Sequence, residues 1–553
     1  MNNSKFELRL LSSMAKVLPN CAPPARHEKE WLSALCGERV SFQVAYRNNG
    51  IQGSWARVKL TSSAIPLTMR LVRYVPSAVV ANQWQTDDGY ISAEAGMFPD
   101  LLEPLEADRL PIIAGSNWRC IWIDAEIAPG TAAGHYSISV CVETREGEVI
   151  GSVETSLEVI QAELPPLSIP NTKWFHTDCL ANYYGVEVFS EPYWEIVENF
   201  AKCAVQHGVN MMLTPIHTPP LDTEVGGERL TVQLIDVTVT NGKYTFGFDK
   251  LERWVKMCRR LGVEYYEMAH LFTQWGAKHA PKIMGTKDGT YTRLFGWDTD
   301  STGPEYSRYL QQMLPALTTK LSELGIADKT YFHISDEPIT EQLSQYSAAY
   351  AIAKPLLEGF KIFDALSDYE FYQNGIVTIP VSALDHIEPF LEGEVPELWG
   401  YYCCAQSYKV PNYFLMQPSF RNRILGALLY KFNIAGFLQW GYNYYNSIHS
   451  VHPINPYIVT DADGAYPSGD PFIVYPGPNG QPLASMRLMV NQEGFNDLCA
   501  LRLLEQLTDR DFVLALIDGD LAQPITFTCF PQNEEYLLSL RNRVNREIAR
   551  RIK

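Results

Sequence analysis

From residue 173 onward the chain alternates short apolar runs with amphipathic stretches, and it does so eight times. The runs 173–178, 210–215, 263–272, 329–337, 361–368, 376–384, 397–405 and 435–445 read as buried parallel strands. Helical periods lie between them. Tyr193, Val197, Phe200 and Ala204 make one apolar stripe behind the helix start Ser190-Glu191-Pro192. Leu251, Trp254, Val255 and Cys258 make another, closed by Gly262. A third runs from Tyr306 to Leu324 with Pro315 expected to kink it, and a fourth joins Ile424, Leu425, Leu428 and Phe432. Eight strand–helix units in about 340 residues predict an α/β fold, a (β/α)8 TIM barrel. A doubly wound open sheet is the alternative if one strand is miscounted.

The residues ahead of this region have a different rhythm. Segments 40–47, 56–61, 69–80, 119–128, 136–143 and 153–160 are β-rich and separated by Gly, Pro, Asn and Asp, with no helical period among them. They predict an N-terminal β-sandwich. The Pro-rich stretch 164–170 reads as a linker, so the expected division is a sandwich over 1–165, a barrel over 166–515 and a helical segment over 516–553. Segment 232–248 reads as an inserted hairpin around Asn241-Gly242, and 447–482 as a long loop after the eighth strand. The basic terminal helix, with Arg541, Arg543, Arg546 and Arg550, reads as a solvated face.

Charge and cysteine usage narrow the partners. A formal net charge of −18 argues against nucleic acid or an anionic membrane. No stretch is apolar enough to insert in a bilayer, and no secretory h-region follows Met1. The 11 cysteines are scattered and odd in number, which fits reduced thiols and cytoplasmic residence. Adjacent Cys403 and Cys404, taken as strand residues, point apart and should not pair. Oligomeric state leaves no mark that can be read.

The fourth strand closes on Ser335-Asp336-Glu337-Pro338. Strand alternation puts Phe332, Ile334 and Asp336 on one face and His333, Ser335 and Glu337 on the other. The two acids can share a site only if the chain leaves strand geometry between them, and Pro338 favours that departure. Paired carboxyls at a strand's C-terminal end suggest proton chemistry. Asp-Glu-Pro is also a helix-start signature, a competing structural reading. Most glycosidases hold two carboxyls about 5–9 Å apart across the scissile bond, which sequence neighbours do not readily do. Adjacent acids suit a different division of labour. A substrate's 2-acetamido oxygen attacks the anomeric carbon, one carboxylate steadies the acetamido N–H, and the other acid protonates the leaving oxygen.

Candidate walls for such a site are Trp440 and Asn443 after the eighth strand, Tyr401 on the seventh, Trp275 after the third, Tyr369 after the fifth and Asp178 ending the first. Each aromatic could equally be core packing, and Asp178 could merely cap the next segment. Asp470 and Tyr475 in the long loop could close over a ligand or hold the loop together. Metal-dependent hydrolysis is a rival, because His176, His270 and His333 lie on the first, third and fourth strands. The paired His-x-His spacing is absent, and Trp174 stands where its first His would be, so no metal or cofactor is expected. A glycan-binding protein without catalysis is the second rival; an intact Asp336-Glu337 pair speaks against it.

The chain resembles glycoside hydrolase family 123, the β-N-acetylgalactosaminidases, and the related domain-of-unknown-function family 4091. The resemblance rests on the ordered set His333-Ile334-Ser335-Asp336-Glu337-Pro338, Trp174-Phe175-His176-Thr177-Asp178, Tyr401-Tyr402-Cys403-Cys404, Gly436-Phe437-Leu438-Gln439-Trp440, Gly469-Asp470-Pro471-Phe472, Ser485-Met486-Arg487 and Glu493-Gly494-Phe495-Asn496-Asp497. It implies a β-sandwich before a (β/α)8 barrel. It further implies an exo-acting, retaining hydrolase that removes terminal β-linked N-acetylgalactosamine from a glycan through an oxazolinium intermediate. Asp336 is implied as the acetamido-orienting carboxylate and Glu337 as general acid/base, with no cofactor. A β-hexosaminidase of other sugar specificity is the alternative it leaves. The Pro-Arg expected after the cysteines in many relatives is absent, which puts the local sugar contacts in question.

Overall fold

The computed structural model describes residues 5–24, 32–81, 86–113, 115 and 117–552. Met1–Ser4, which begin the stretch read for a leader, lie outside the described residues. Two five-stranded sheets form the N-terminal part. One orders the strands Phe6–Ser12, Arg39–Asn48, Arg119–Glu126, Leu67–Ser77 and Gly96–Pro104; the other orders Leu32–Cys36, Val149–Glu163, Gly134–Glu143, Trp55–Ser62 and Arg109–Pro111. Their facing sides pack Phe42, Val44, Ile121 and Ile123 against Val140, Val142, Leu157 and Val159. The first sheet is covered on its other side as well. Cys120 and Trp122, which alternate with Ile121 and Ile123, belong to the large core shared with the barrel's helices. Double burial is why the strand is apolar at four successive residues, Cys120 to Ile123. Within it, Asp124 accepts the Trp122 Nε1–H and the Ser41 hydroxyl, each at 2.7 Å, and pairs with Arg70.

Eight parallel strands then close a barrel: β1 (Asn171–Lys173), β2 (Met211–Thr214), β3 (Tyr265–Met268), β4 (Thr330–Phe332), β5 (Lys361–Leu366), β6 (Ile379–Ala383), β7 (Trp399–Tyr402) and β8 (Gly436–Gln439). The bond of β8 back to β1, with Asn171 opposite Phe437, excludes the open sheet. Seven of the expected strands are present, each shorter than its apolar run; the first is displaced, running over Asn171–Lys173 and meeting the expected 173–178 only at Lys173. Met211, Leu213, Tyr331, Phe363, Val381, Trp399 and Leu438 fill the interior. Ser190 caps the helix Glu191–Gln206 by accepting from Tyr193 N, and left-handed Gly262 (φ 95°) ends the helix Asp249–Leu261. Pro304–Glu323 runs as one helix through the solvent-facing Pro315. The expected hairpin forms from Asp236–Thr240 and Lys243–Gly247 around left-handed Asn241-Gly242. It joins Ile283–Lys287 and Thr290–Phe295, two strands the sequence reading passes over, in a four-stranded sheet.

The terminal helix Glu534–Arg551 corrects one expectation. Arg546 and Arg550 face solvent, but Arg541 is buried, donating to both carboxylate oxygens of Glu38 at 2.7 and 2.8 Å and to Asp497 Oδ1 at 3.0 Å. Arg423 reaches Asp497 and Glu493 from the barrel side. The last helix thus fastens the sandwich to the barrel through charge pairs removed from water. Arg541→Ala should cost about 3–5 kcal/mol, because it strands Glu38 without its cation. Urea unfolding measures this, and a loss below about 1 kcal/mol, the scale of an exposed pair, would reject the anchoring role.

Candidate active site

Strand β4 stops at Phe332, five residues before its apolar run ends. Beyond it Glu337 takes φ 42°, in the left-handed region that a non-glycine residue seldom occupies. This breaks the alternation, and Asp336 and Glu337 line one pocket at the barrel's C-terminal mouth. Neighbouring loops hold the turn: Trp275 N donates to the Asp336 carbonyl at 2.9 Å, and Glu337 N donates to the Ala365 carbonyl at 3.1 Å. The next α-helix begins only at Leu343, so the Asp-Glu-Pro segment is not its first turn and the helix-start reading falls.

Both carboxyls are held above the ordinary carboxylate range. Asp336 is 8% exposed, and its Oδ1 has no hydrogen-bond partner. Burial pushes it well up, the neighbouring Glu337 adds to the rise, and His333 opposes it. Burial also raises Glu337, against the pull of the Tyr401 hydroxyl donating to Oε1 at 2.7 Å and the Cys403 thiol at 3.9 Å. Each carboxyl of the pair therefore holds its proton to higher pH than a free carboxyl would.

The opposing positive charge is built into the barrel. His333, fully buried, is bracketed by Glu267 Oε1 at 2.6 Å and Asp364 Oδ1 at 2.9 Å. Burial alone would lower its pKa; the bonds to Asp364 and Glu267 outweigh burial and raise it to about 9. Glu267 also accepts Trp174 Nε1–H at 2.7 Å and the Thr172 hydroxyl; Asp364 accepts Ile334 N–H at 3.0 Å and the Tyr346 hydroxyl. Side chains from three strands, β1, β3 and β5, therefore fix one imidazolium just beyond the end of β4.

His270, His333 and Asp364 bring ligand-type atoms within 4.8 Å of one another. Their geometry does not suit a metal. The two imidazoles stack 4.0 Å apart at 16°, so their in-plane lone pairs run parallel instead of converging, and both His333 nitrogens are engaged. His176, the third candidate ligand, meets the Trp440 carbonyl at 2.9 Å and Arg229 at 3.0 Å.

Of the expected walls, Trp275, Tyr401 and Trp440 line the pocket. Trp275 is 39% exposed, and Trp440 is braced by Nε1–H donation to Asp470 Oδ2 at 3.0 Å. Three expectations are corrected. Asp178 lies in the first turn of the helix Thr177–Tyr184, with both oxygens taken by Arg229 at 2.7 and 2.8 Å. Asn443 is fully buried and clasps the backbone of His176, accepting its N–H at 2.9 Å and donating to its carbonyl at 3.0 Å. Tyr369 packs on Phe390 and Tyr372, away from the pocket. In the long loop, Tyr475 donates to Asp100 of the sandwich at 2.6 Å and holds structure together. Asp470 sits buried behind Trp440, its pKa raised to about 8, chiefly by burial.

Sequence reasoning missed Leu221, Asp222, Gln274 and Tyr466. Asp222 accepts the Tyr444 hydroxyl at 2.6 Å and the Tyr466 hydroxyl at 2.8 Å, and its N–H donates to Gln274 at 2.7 Å. A single acid in a Pro-rich loop carries no local signal of these partners. Cys403 and Cys404, not counted among the expected walls, line the pocket as well.

A family model described as glycoside hydrolase 123, catalytic domain, matches residues 174–504, well over half of the chain. Among solved structures, the chain is similar to a family 123 glycoside hydrolase from Clostridium perfringens, described in a study of glycolipid glycan hydrolysis. That likeness spans 99% of both chains with a TM-score of 0.73 and 16% identity, and so concerns the fold. An endo-β-1,4-mannanase from Thermotoga petrophila aligns over 61% of this chain and 77% of its own, at a TM-score of 0.34 and 11% identity, too low to support any argument. No curated protein sequence matches the chain.

Proposed function

Because the chain belongs to glycoside hydrolase family 123, we propose that it removes terminal β-linked N-acetylgalactosamine from glycans by substrate-assisted, retaining hydrolysis. Membership makes it a glycosidase; the sugar and the mechanism are the proposal. The observation that carries it is the buried Asp336 Oδ1, left without a donor in the pocket that also holds Glu337. A polar atom so placed lacks one hydrogen bond, and an acetamido N–H supplies it.

The steps follow from the two environments. Bound substrate donates its acetamido N–H to Asp336, which favours the ionised form, as the His333 imidazolium already does. The pair's retained proton then resides on Glu337. The acetamido oxygen attacks the anomeric carbon while Glu337 protonates the leaving oxygen. Asp336 faces the positive charge that develops on the oxazolinium nitrogen. Glu337, now ionised, accepts a proton from the water that opens the ring, restoring the starting state with retention. Trp275, Trp440 and Tyr466 offer apolar faces to the sugar. Cytoplasmic residence stays part of the proposal, supported by the 11 cysteines, all of them free.

A panel of aryl β-glycosides differing at C2 and C4 tests the reading. Only 2-acetamido sugars should turn over, the galacto epimer faster than the gluco by about ten-fold or more. Comparable turnover of the 2-hydroxy analogues would overturn substrate assistance, and a gluco preference would overturn the sugar assignment.

A further inference from the structure

Cys403 and Cys404 are sequence neighbours, and both line the pocket of Asp336 and Glu337. As strand residues they would point apart, the expectation stated above. Strand β7, however, ends at Tyr402, and the chain turns at Cys404-Ala405. Both residues reach the same pocket wall instead. The turn is pinned from outside: Gln406 Oε1 accepts the Cys403 N–H at 2.9 Å and lies 3.3 Å from its sulfur, and Asn412 Nδ2 donates to the Cys403 carbonyl at 3.0 Å. Both residues are half-buried in a pocket wall, whereas Cys120, Cys179 and Cys258 are sealed in core.

We propose that Cys403 and Cys404 form a modification site, a vicinal dithiol that closes to a disulfide by exchange with a small disulfide and thereby slows hydrolysis in the adjoining pocket. The neighbouring Cys404 thiol and burial push the Cys403 thiol well above its usual value, while Cys404, eased by Cys403 and raised by burial, is lifted less far. Cys404 is therefore the sulfur that attacks first. Its thiolate forms an S–S bond with one sulfur of the small disulfide RSSR and expels the other half, which leaves as RSH after taking a proton. The Cys403 thiolate next attacks Cys404 Sγ, forming the Cys403–Cys404 bond, breaking the mixed disulfide and releasing a second RSH. Two protein thiols are oxidised and one RSSR is reduced to two RSH.

Ring strain makes the product reversible. Adjacent α-carbons across a trans peptide lie about 3.8 Å apart. Ordinary disulfides separate them by about 4.4–6.8 Å, and strained ones are the more readily reduced. The cost to the pocket is a lost donor. The Cys403 thiol, 3.3 Å from Gln406 Oε1 and 3.9 Å from Glu337 Oε1, is a donor that can turn to that carboxyl beside the Tyr401 hydroxyl, and disulfide formation removes it.

The test uses the full-length protein, reduced, freed of reductant, incubated with glutathione disulfide and digested without reduction. The peptide spanning residues 403–404 should be lighter by two hydrogens and carry no glutathione, while exposed Cys21 carries it. Two free thiols at 403 and 404, or a lasting glutathione adduct on either, alongside modified Cys21, would overturn the proposal. This arm needs no substrate, so its failure is separate from any failure of the sugar assignment. The second arm rests on the hydrolase reading. Oxidation should lower kcat about five-fold, with recovery on reduction, as expected for one hydrogen bond lost at a reacting group. The double variant Cys403→Ser/Cys404→Ser should show the same rate before and after oxidation. No fall in the oxidised wild type, or an equal fall in the double variant, would overturn the coupling to hydrolysis.

Discussion

Glu337→Gln is expected to lower kcat/KM about 10³-fold on glycosides with alkyl or sugar leaving groups, within the range of general acid catalysis. On dinitrophenyl glycosides the loss should be about ten-fold or less, since that leaving group departs with little protonation. The contrast arises because burial holds a proton on this carboxyl, against the Tyr401 and Cys403 hydrogen bonds that favour its anion. The pH profile supplies a second signature. With both carboxyls raised, the wild-type acidic limb, where the pair takes up a second proton, should lie above the range of free carboxyls. The alkaline limb, where the pair gives up its last proton, should disappear in the variant, because an amide does not titrate. Equal losses on both leaving groups, with the alkaline limb intact, would remove Glu337 from the role of acid.

Asp336→Asn should behave in the opposite way. Its loss, on the order of 10²–10³-fold, should be the same for good and poor leaving groups, because the missing negative charge opposes ring closure itself. Asn is nearly isosteric, and Asp336 Oδ1 has no partner to lose, so the fold should be undisturbed. Unfolding midpoints matching the wild type would separate a chemical loss from a structural one. Normal turnover of 2-acetamido substrates by this variant would reject the orienting role.

Much of the barrel was legible because its strands are buried on both faces and so read as uninterrupted apolar runs. The same property made their ends illegible. The run 329–337 continues through Ile334, yet the strand stops at Phe332, since Asp364 draws the next backbone N–H groups out of the ladder. Trp275 and Trp440 were found by their place after strands and Tyr401 by its place near the end of one, and all three line the pocket. Asp178 and Asn443 satisfied the same criterion and failed. Their partners, Arg229 and the backbone of His176, lie 51 and 267 residues away. Position along a strand says where a polar group starts, not whether another residue has already engaged it. The sandwich strands Phe6–Ser12, Leu32–Cys36, Gly96–Pro104 and Arg109–Pro111 were missed as well: the first three do not alternate regularly between buried and exposed residues, and the last is only three residues long.

The charged pairs across the sandwich–barrel boundary bear on how such a chain can be inherited. Arg487 of the helix Met486–Leu507 grips Asp100 of the first sheet, as Arg541 grips Glu38, and all four side chains are shielded from solvent. A gene rearrangement that grafted a foreign sandwich onto this barrel would leave two guanidinium groups facing whatever surface arrived. Shuffling of modules should therefore be rare in such lineages, and the two halves should diverge together, each acid and its arginine changing as a unit or not at all.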